Sequence, residues 1–389
     1  MNYVVIVQQA DLRRLRHVHY VARECKQTPP WTPPTDVLCT MAEPPATCAN
    51  ASSVRTVKAR MRMCGIGVPE CDAQYSPDAC ACSRLAAAAS PEAWRSAGVA
   101  FPYCRASTAC DAPLRPKPHS HATIAIAFHH HNSSVRAWFK GQPINSYLYN
   151  VRLLVRLLLS LRSVGTTLPV SVLLSGERHA PFEALLASLG ALLVDADAFA
   201  TRKPPWASEY HVNSFTKLRA LSLTEYRRVV VLDTDMVVLQ NIDALASSPT
   251  PAFVFRPTPC IDRATIVWRP WEMNSGVMVL QPTRAELGRL HRLLNSTWYA
   301  GIGHRTDSSD QSFWRHFFDE VHELPIRYNA MGISNLTDWE DVHIFHDVES
   351  YRKGHPPPSD SPAAQALANL TSTAKRMLRS VCDGVGLAC

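Results

Sequence analysis

The chain has 389 residues, of which 46% are hydrophobic, enough for one large domain with a substantial core and a smaller module beside it. Its formal charge of +7 comes from scattered Lys and Arg, and the densest basic run, Arg13-Arg14-Leu15-Arg16-His17, reads as a solvated helix face, which argues against a nucleic-acid binder. No apolar run reaches the length needed to span a membrane, and Met1–Val7 is too short for a signal-peptide core.

Residues 1–118 read as a loop-rich, disulfide-stapled module, because nine of the twelve cysteines (Cys25, Cys39, Cys48, Cys64, Cys71, Cys80, Cys82, Cys104 and Cys110) lie there among Pro, Ala and Ser. No Cys-x-x-Cys pair and no matching His spacing accompanies them, which favours disulfides over structural zinc. A helix is expected around Arg84–Ala97, and the Pro-containing link Pro113–Pro118 closes the module. Five Asn-x-Ser/Thr sequons, at Asn50, Asn132, Asn295, Asn335 and Asn369, exceed the roughly two that chance predicts. With the cysteines they point to an oxidising, lumenal or extracellular compartment.

From residue 122 the texture changes to alternating strands and helices. Ala122–Phe128 reads as a strand and Ile144–Leu161 as a helix with an apolar stripe at Leu148, Val151, Leu154, Val155 and Leu158. A strand at Val170–Leu174, a helix at Phe182–Leu189, a strand at Leu192–Val194 and a helix at Phe215–Glu225 follow, and lead into the apolar strand Arg228–Leu232. This β-α-β order predicts an α/β domain whose mostly parallel sheet is flanked by helices, with the carboxyl ends of its strands along one edge. Ala252–Arg256 and Ser275–Gln281 are further strands. Thr283-Arg284-Ala285-Glu286 has capping-box spacing and opens a helix, and Ser312–Phe318 is another. Residues 356–389 form a tail with a helix at Ala363–Leu378, after which Cys382 and Cys389 could close a small loop.

Asp233-Thr234-Asp235 ends the strand Arg228–Leu232. Residues two apart in an extended chain point the same way, so both carboxylates leave the end of a buried strand together, placed to share a hard divalent cation such as magnesium or manganese. The carboxyl end of such a strand is also where open α/β sheets bind ligands. His129-His130-His131 follows the first strand at the same edge and reads as a polar loop, since three consecutive His cannot face one point. Trp268 and Trp271 offer a stacking surface or core aromatics.

Five segments occur in order: Thr216-Lys217-Leu218 through Tyr226; Leu232-Asp233-Thr234-Asp235 with Asn241-Ile242-Asp243; Met273-Asn274-Ser275-Gly276-Val277; Asp307-Ser308-Ser309-Asp310-Gln311; and Leu324-Pro325-Ile326-Arg327-Tyr328-Asn329. Through them residues 122–352 resemble the retaining glycosyltransferases of family 8, the glycogenin-like group. The resemblance implies a GT-A fold over residues 119–355, a UDP-sugar donor, and manganese or magnesium held by Asp233 and Asp235. The family's third ligand is a His in a His-Phe-x-Gly-x-x-Lys-Pro-Trp pattern; His346 is the match, His343 the competing ligand, and the pattern's Gly and Pro-Trp are absent. Arg352 or Lys353 stands in for its phosphate-binding Lys, and Lys217 adds a positive group on the donor side. Asn274, Asp307, Asp310, Gln311 and Asn329 match positions around the transferred sugar, with Asp310 and Gln311 the catalytic candidates and Asp310 nearest the anomeric carbon. Retention follows from a carboxylate adduct or from front-face displacement.

The implied activity moves a hexose or uronic acid from a UDP-sugar to a glycan, protein or lipid acceptor. Its alternative is a catalytically silent, carbohydrate-binding or scaffold protein of the secretory pathway; a self-glucosylating primer like glycogenin is disfavoured by the sequons and cysteines. The expected compartment is the Golgi lumen, with the cytoplasm as the alternative. Membrane association is left open although the sequence shows no spanning segment, and the oligomeric state is open.

Overall fold

A computed structural model describes residues 103–111, 121–130, 146–197, 209–257, 271–294, 309–331, 338–347 and 357–386, together with short pieces between 76 and 91 and around 114, 137–144 and 336. In chain order the elements are β1 (Tyr103–Ala106), β2 (Ala122–His130), α1 (Ser146–Ser163), β3 (Val170–Gly176), α2 (Ala180–Ser188), β4 (Ala191–Asp195), a 3₁₀ segment (Glu209–Ser222), β5 (Arg228–Leu232), β6 (Met236–Val238), β7 (Ala252–Pro257), β8 (Trp271–Leu280), α3 (Arg284–Leu294), α4 (Asp310–Phe317), β9 (Glu320–Leu324), β10 (Ala330–Met331), β11 (Ile344–His346) and α5 (Pro362–Val385).

The main sheet has eight strands in the order β1-β9-β7-β8-β5-β2-β3-β4, and β8 alone runs against the other seven. This is the mostly parallel, helix-flanked α/β architecture expected. Alternate residues supply two cores, one on each face. Ile124, Ile126, Val230 and Leu232 pack with Leu154 and Leu158 of α1, Leu186 of α2 and Leu378 of α5. Ala125, Val229, Val231, Phe253 and Phe255 pack on the other face with Phe215, Leu218, Phe313, Trp314 and Phe317.

Side-chain caps start α3 and α5, the first of them at the expected capping box. Thr283 Oγ1 accepts the N–H of Glu286 (3.1 Å), which caps α3. Ser361 caps α5 by accepting the N–H of Ala364, Pro362 occupies its first turn, and Gly386 ends it at φ +68°. One helix differs: in place of the expected Phe215–Glu225 stands a 3₁₀ segment, Glu209–Ser222, where Phe215, Leu218 and Leu221 recur at the three-residue period of that helix and all enter one core.

Residues on both sides of the expected domain limits join this fold. β1, before residue 118, pairs in parallel with β9 at the edge of the main sheet. The helix α5 runs to Val385, beyond the expected Leu378, and packs Leu378 and Cys382 into the core under α1. Cys80 and Cys110 form a disulfide, Cys382 is disulfide-bonded, and Cys82 and Cys104 are free and buried. The expected helix at Arg84–Ala97 falls mostly outside the described residues, as do Cys25, Cys39, Cys48, Cys64, Cys71, Cys260, Cys389 and the sequons at Asn50, Asn132, Asn295 and Asn335. Asn369 is exposed on α5. Among the described residues, no helix is long and apolar enough to cross a membrane.

A second, three-stranded sheet, β10-β11-β6, stands beyond the carboxyl end of β5. Its β6 begins three residues after Asp233, and its β11 ends at His346. That junction builds the site.

Candidate metal and donor site

Asp233 extends the antiparallel register of β5 with β8 by one residue, its N–H donating to the carbonyl of Gly276 (2.9 Å) after the pair Leu232–Val277. Asp235 extends the β6–β11 ladder in the same way: Met236 pairs with His346, and the N–H of Asp347 donates to the Asp235 carbonyl (2.9 Å). Two sheets therefore meet at Asp233-Thr234-Asp235, and the second carries His346 with it. The Nε2 of His346 lies 3.2 Å from Asp235 Oδ1, and one ligand atom each from Asp233, Asp235 and His346 fall within 4.8 Å of one another. Asp233 and Asp235 keep 25% and 29% of their side-chain surface open, against 6% for His346, so the cluster opens through its carboxylates.

His343 is placed otherwise. It stacks on Tyr328 with ring centroids 5.0 Å apart and its Nδ1 lies by the Asn241 carbonyl (3.3 Å). Of the two histidines, His346 is the one that joins the acidic pair.

A chain of buried amides sets the orientation of His346. The N–H of Gly276 donates to Asn274 Oδ1 (2.9 Å), and that of Ser275 to Gln311 Oε1 (3.1 Å). These backbone donors fix which end of each amide is oxygen. Asn274 Nδ2 then donates to Gln311 Oε1 (3.0 Å), and Asn329 Nδ2 to Asn274 Oδ1 (2.7 Å). The Asn329 Oδ1 is left facing His346 Nδ1 at 2.8 Å, so the ring donates there. Its Nε2 faces Asp235, where it either carries a second proton or shares a cation with the carboxylate. Asn274, Gln311 and Asn329, expected around a sugar, thus form a chain that braces His346.

Lys217 is buried in the 3₁₀ segment, with Nζ 2.7 Å from Asp233 Oδ1 and 3.0 Å from Asp310 Oδ2, and it donates to Ser275 Oγ (3.3 Å). Asp310, at the first turn of α4, also accepts from Trp314 Nε1 (3.2 Å). Burial opposes a charge on Lys217, but Asp233 and Asp310 outweigh it and hold the ammonium protonated. Burial pushes Asp233 up even against Lys217, with Asp235 and Asp310 adding to the push. Burial also works on Asp235, yet the His346 ring beside it reverses the sign and keeps that carboxyl below its ordinary range. Asp233 and Asp310 share Lys217, while Asp235 faces the His346 ring, so three carboxylates lie together with one ammonium among them. Such a set favours an added positive charge.

His129 Nδ1 meets Ser175 Oγ (2.7 Å), which meets Thr216 Oγ1 (2.9 Å), a polar chain along the strand ends toward Lys217. Asp243 serves the fold: it accepts from the N–H and hydroxyl of Thr167 (2.8 and 2.7 Å) before β3. Asp307, Arg352, Lys353, His131 and Trp268 lie outside the described residues, as does the side chain of Trp271. The residues that sequence reasoning missed are Arg156 and Asp347, a buried ion pair behind Asp235. Their signal was a lone Arg inside the apolar run Leu153–Leu161, which needs a buried partner.

A family described as "Mannosyltransferase putative" matches residues 145–250. Glycogenin-1 of Caenorhabditis elegans is 27% identical over 210 residues, 52% of this chain and 43% of that protein. Galactinol synthase 1 of Solanum lycopersicum is 28% identical over 141 residues, 32% of this chain and 42% of that protein. UDP-glucuronate:xylan alpha-glucuronosyltransferase 2 of Arabidopsis thaliana is 26% identical over 127 residues, 31% of this chain and 17% of that protein. The chain thus spans less than half the length of each of these relatives. They are the company expected from the five segments around the acidic pair, and over these stretches the chain is similar to glycosyltransferases of the glycogenin-like group, family 8.

Proposed function

We propose that the protein is a metal-dependent retaining glycosyltransferase that moves a hexose or uronic acid from a UDP-sugar to a glycan, protein or lipid acceptor. The observation that carries the reading is the convergence of Asp233, Asp235 and His346 within 4.8 Å at the end of β5, with the His346 ring held by Asn329. The donor set, two carboxylates and an imidazole beside a third carboxylate, fits manganese or magnesium. When bound, the cation would supply positive charge against the diphosphate leaving group. Lys217 holds Asp233 and Asp310 in place and adds charge at the donor. Asp310, steered by Lys217 and Trp314, is the carboxylate assigned to the anomeric carbon, with Gln311 beside it. Arg352 or Lys353 and Asp307 complete the donor contacts.

The Cys80–Cys110 disulfide and the exposed Asn369 support a secretory compartment such as the Golgi lumen. The decisive experiment is a screen of UDP-sugars for released UDP, with manganese and with chelator. Turnover of one donor that needs the metal and vanishes in Asp235→Asn is expected; no turnover of any donor together with no UDP binding would overturn the reading.

A further inference from the structure

Arg156 is an unexpected charge in the core. It lies in α1, its Nη1 is 2.6 Å from Asp347 Oδ2, and the two side chains are 3% and 1% exposed. A buried ion pair loses so much hydration that apolar residues of similar size serve stability as well or better. Its other contacts give the reason for it. Arg156 Nη2 donates to the Asp235 carbonyl at 3.4 Å, the same oxygen that takes the N–H of Asp347 at 2.9 Å. Asp347 directly follows His346, and Arg156 Nη1 also reaches Thr371 Oγ1 on α5 at 3.5 Å. One guanidinium thus binds the backbone of one metal-site carboxylate and the side chain next to the metal-site histidine.

We propose that Arg156 and Asp347 are the positioning pair of the cation site: they fix the separation of Asp235 from His346, with α5 as the wall behind the clamp. This rests on the metal reading above. Neither side chain touches the cation, so the pair acts through the strand ends it ties together. Loss of such supporting contacts costs metal affinity about 10- to 100-fold.

The test is Mn2+ binding followed by electron paramagnetic resonance, with urea unfolding measured on the same proteins. The double variant Arg156→Met/Asp347→Leu removes both charges, so its unfolding midpoint should stay near that of the wild type. Its Mn2+ dissociation constant should rise about 10-fold or more, while Arg156→Lys, which keeps the charge but loses the planar fork, should fall between the two. Asp347→Asn is read by the same threshold if the double variant does not fold. A folded variant that binds Mn2+ within about threefold of the wild type would overturn the clamp and leave the metal reading standing. Failure of both to unfold cooperatively would make the pair a folding requirement and also overturn it. A wild type that binds no Mn2+ at about 1 mM would remove both readings.

Discussion

Gly276 has no room for a side chain. A Cβ there would sit 2.7 Å from Asn274 Oδ1 and from Met236 Cε, and 2.8 Å from His346 Cε1. Met236 can move, but Asn274 is held by the Gly276 N–H, Asn329 and Gln311, and His346 by Asn329. Gly276→Ala should therefore push His346 out of register with Asp235. The overpacking costs about 1–3 kcal/mol by urea unfolding, and Mn2+ affinity should fall about 10-fold or more. Unchanged Mn2+ binding in this variant would mean that His346 is not a ligand. At this scale the acidic pair stood out in the sequence through the segments around it, since two carboxylates after an apolar strand are by themselves as often solvated turn residues. It showed the amides only as sugar contacts. Their role in bracing His346 depends on β8, α4 and the turn after β9 meeting, which no local pattern announces.

Among the elements, β9 ties the cysteine-containing segment to the sheet. Glu323 is fully buried, accepts the N–H groups of Cys82 (3.1 Å) and Ser83 (2.6 Å), and lies beside the Cys80–Cys110 disulfide. The N–H groups of Ile326 and Arg327 donate to the carbonyls of Ala79 and Pro77, which docks that segment further. Burial pushes the Glu323 carboxyl up from 4.5 to about 7, against the pull of the Ser83 and Cys82 donors. A carboxyl that binds its proton more tightly folded than unfolded contributes stability below its unfolded value and loses it as pH rises through its folded one. Stability should therefore fall by roughly 3 kcal/mol between about pH 4.5 and 7.5 from this group alone. In Glu323→Gln, which keeps an acceptor but cannot ionise, that fall should disappear; equal losses in both proteins across urea titrations at pH 5 and 8 would refute the assignment. Elements such as β2, α1, β3 and β5 were legible because each carries a continuous apolar run or stripe. The strands β1, β6 and β9–β11 were not, since each is either two to four residues long or, like β9, broken by charged and polar residues, and their partners lie far along the chain.

For the whole molecule, the alternation of strands and helices was enough to give the parallel sheet and the edge where Asp233 emerges. It could not show that β8 runs the other way, nor how far the fold extends past residues 118 and 355. Pro-rich stretches at 113–118 and 356–358 look like linkers by composition, yet β1 and α5 on their far sides pack into the same body. The burial pattern of α5 explains why: Ala363, Leu367, Ala374, Leu378 and Cys382 are buried at helical spacing while the intervening Lys375, Arg376 and Arg379 are exposed. Leu378 is 4% exposed in the core shared with α1, so Leu378→Ala should cost about 2–5 kcal/mol. Seven residues before it, Thr371 supplies the polar contact to Arg156. The apolar anchor and the polar contact are thus separate features of one helix, and they should separate in experiment. Leu378→Ala should lower the urea midpoint while leaving Mn2+ affinity of the folded protein within about threefold of the wild type. A loss of stability below about 0.5 kcal/mol would mean that α5 is not docked on α1 in solution. A large loss of Mn2+ affinity in the folded variant would mean that α5 governs the site as a rigid unit rather than through Thr371 and Arg156 alone.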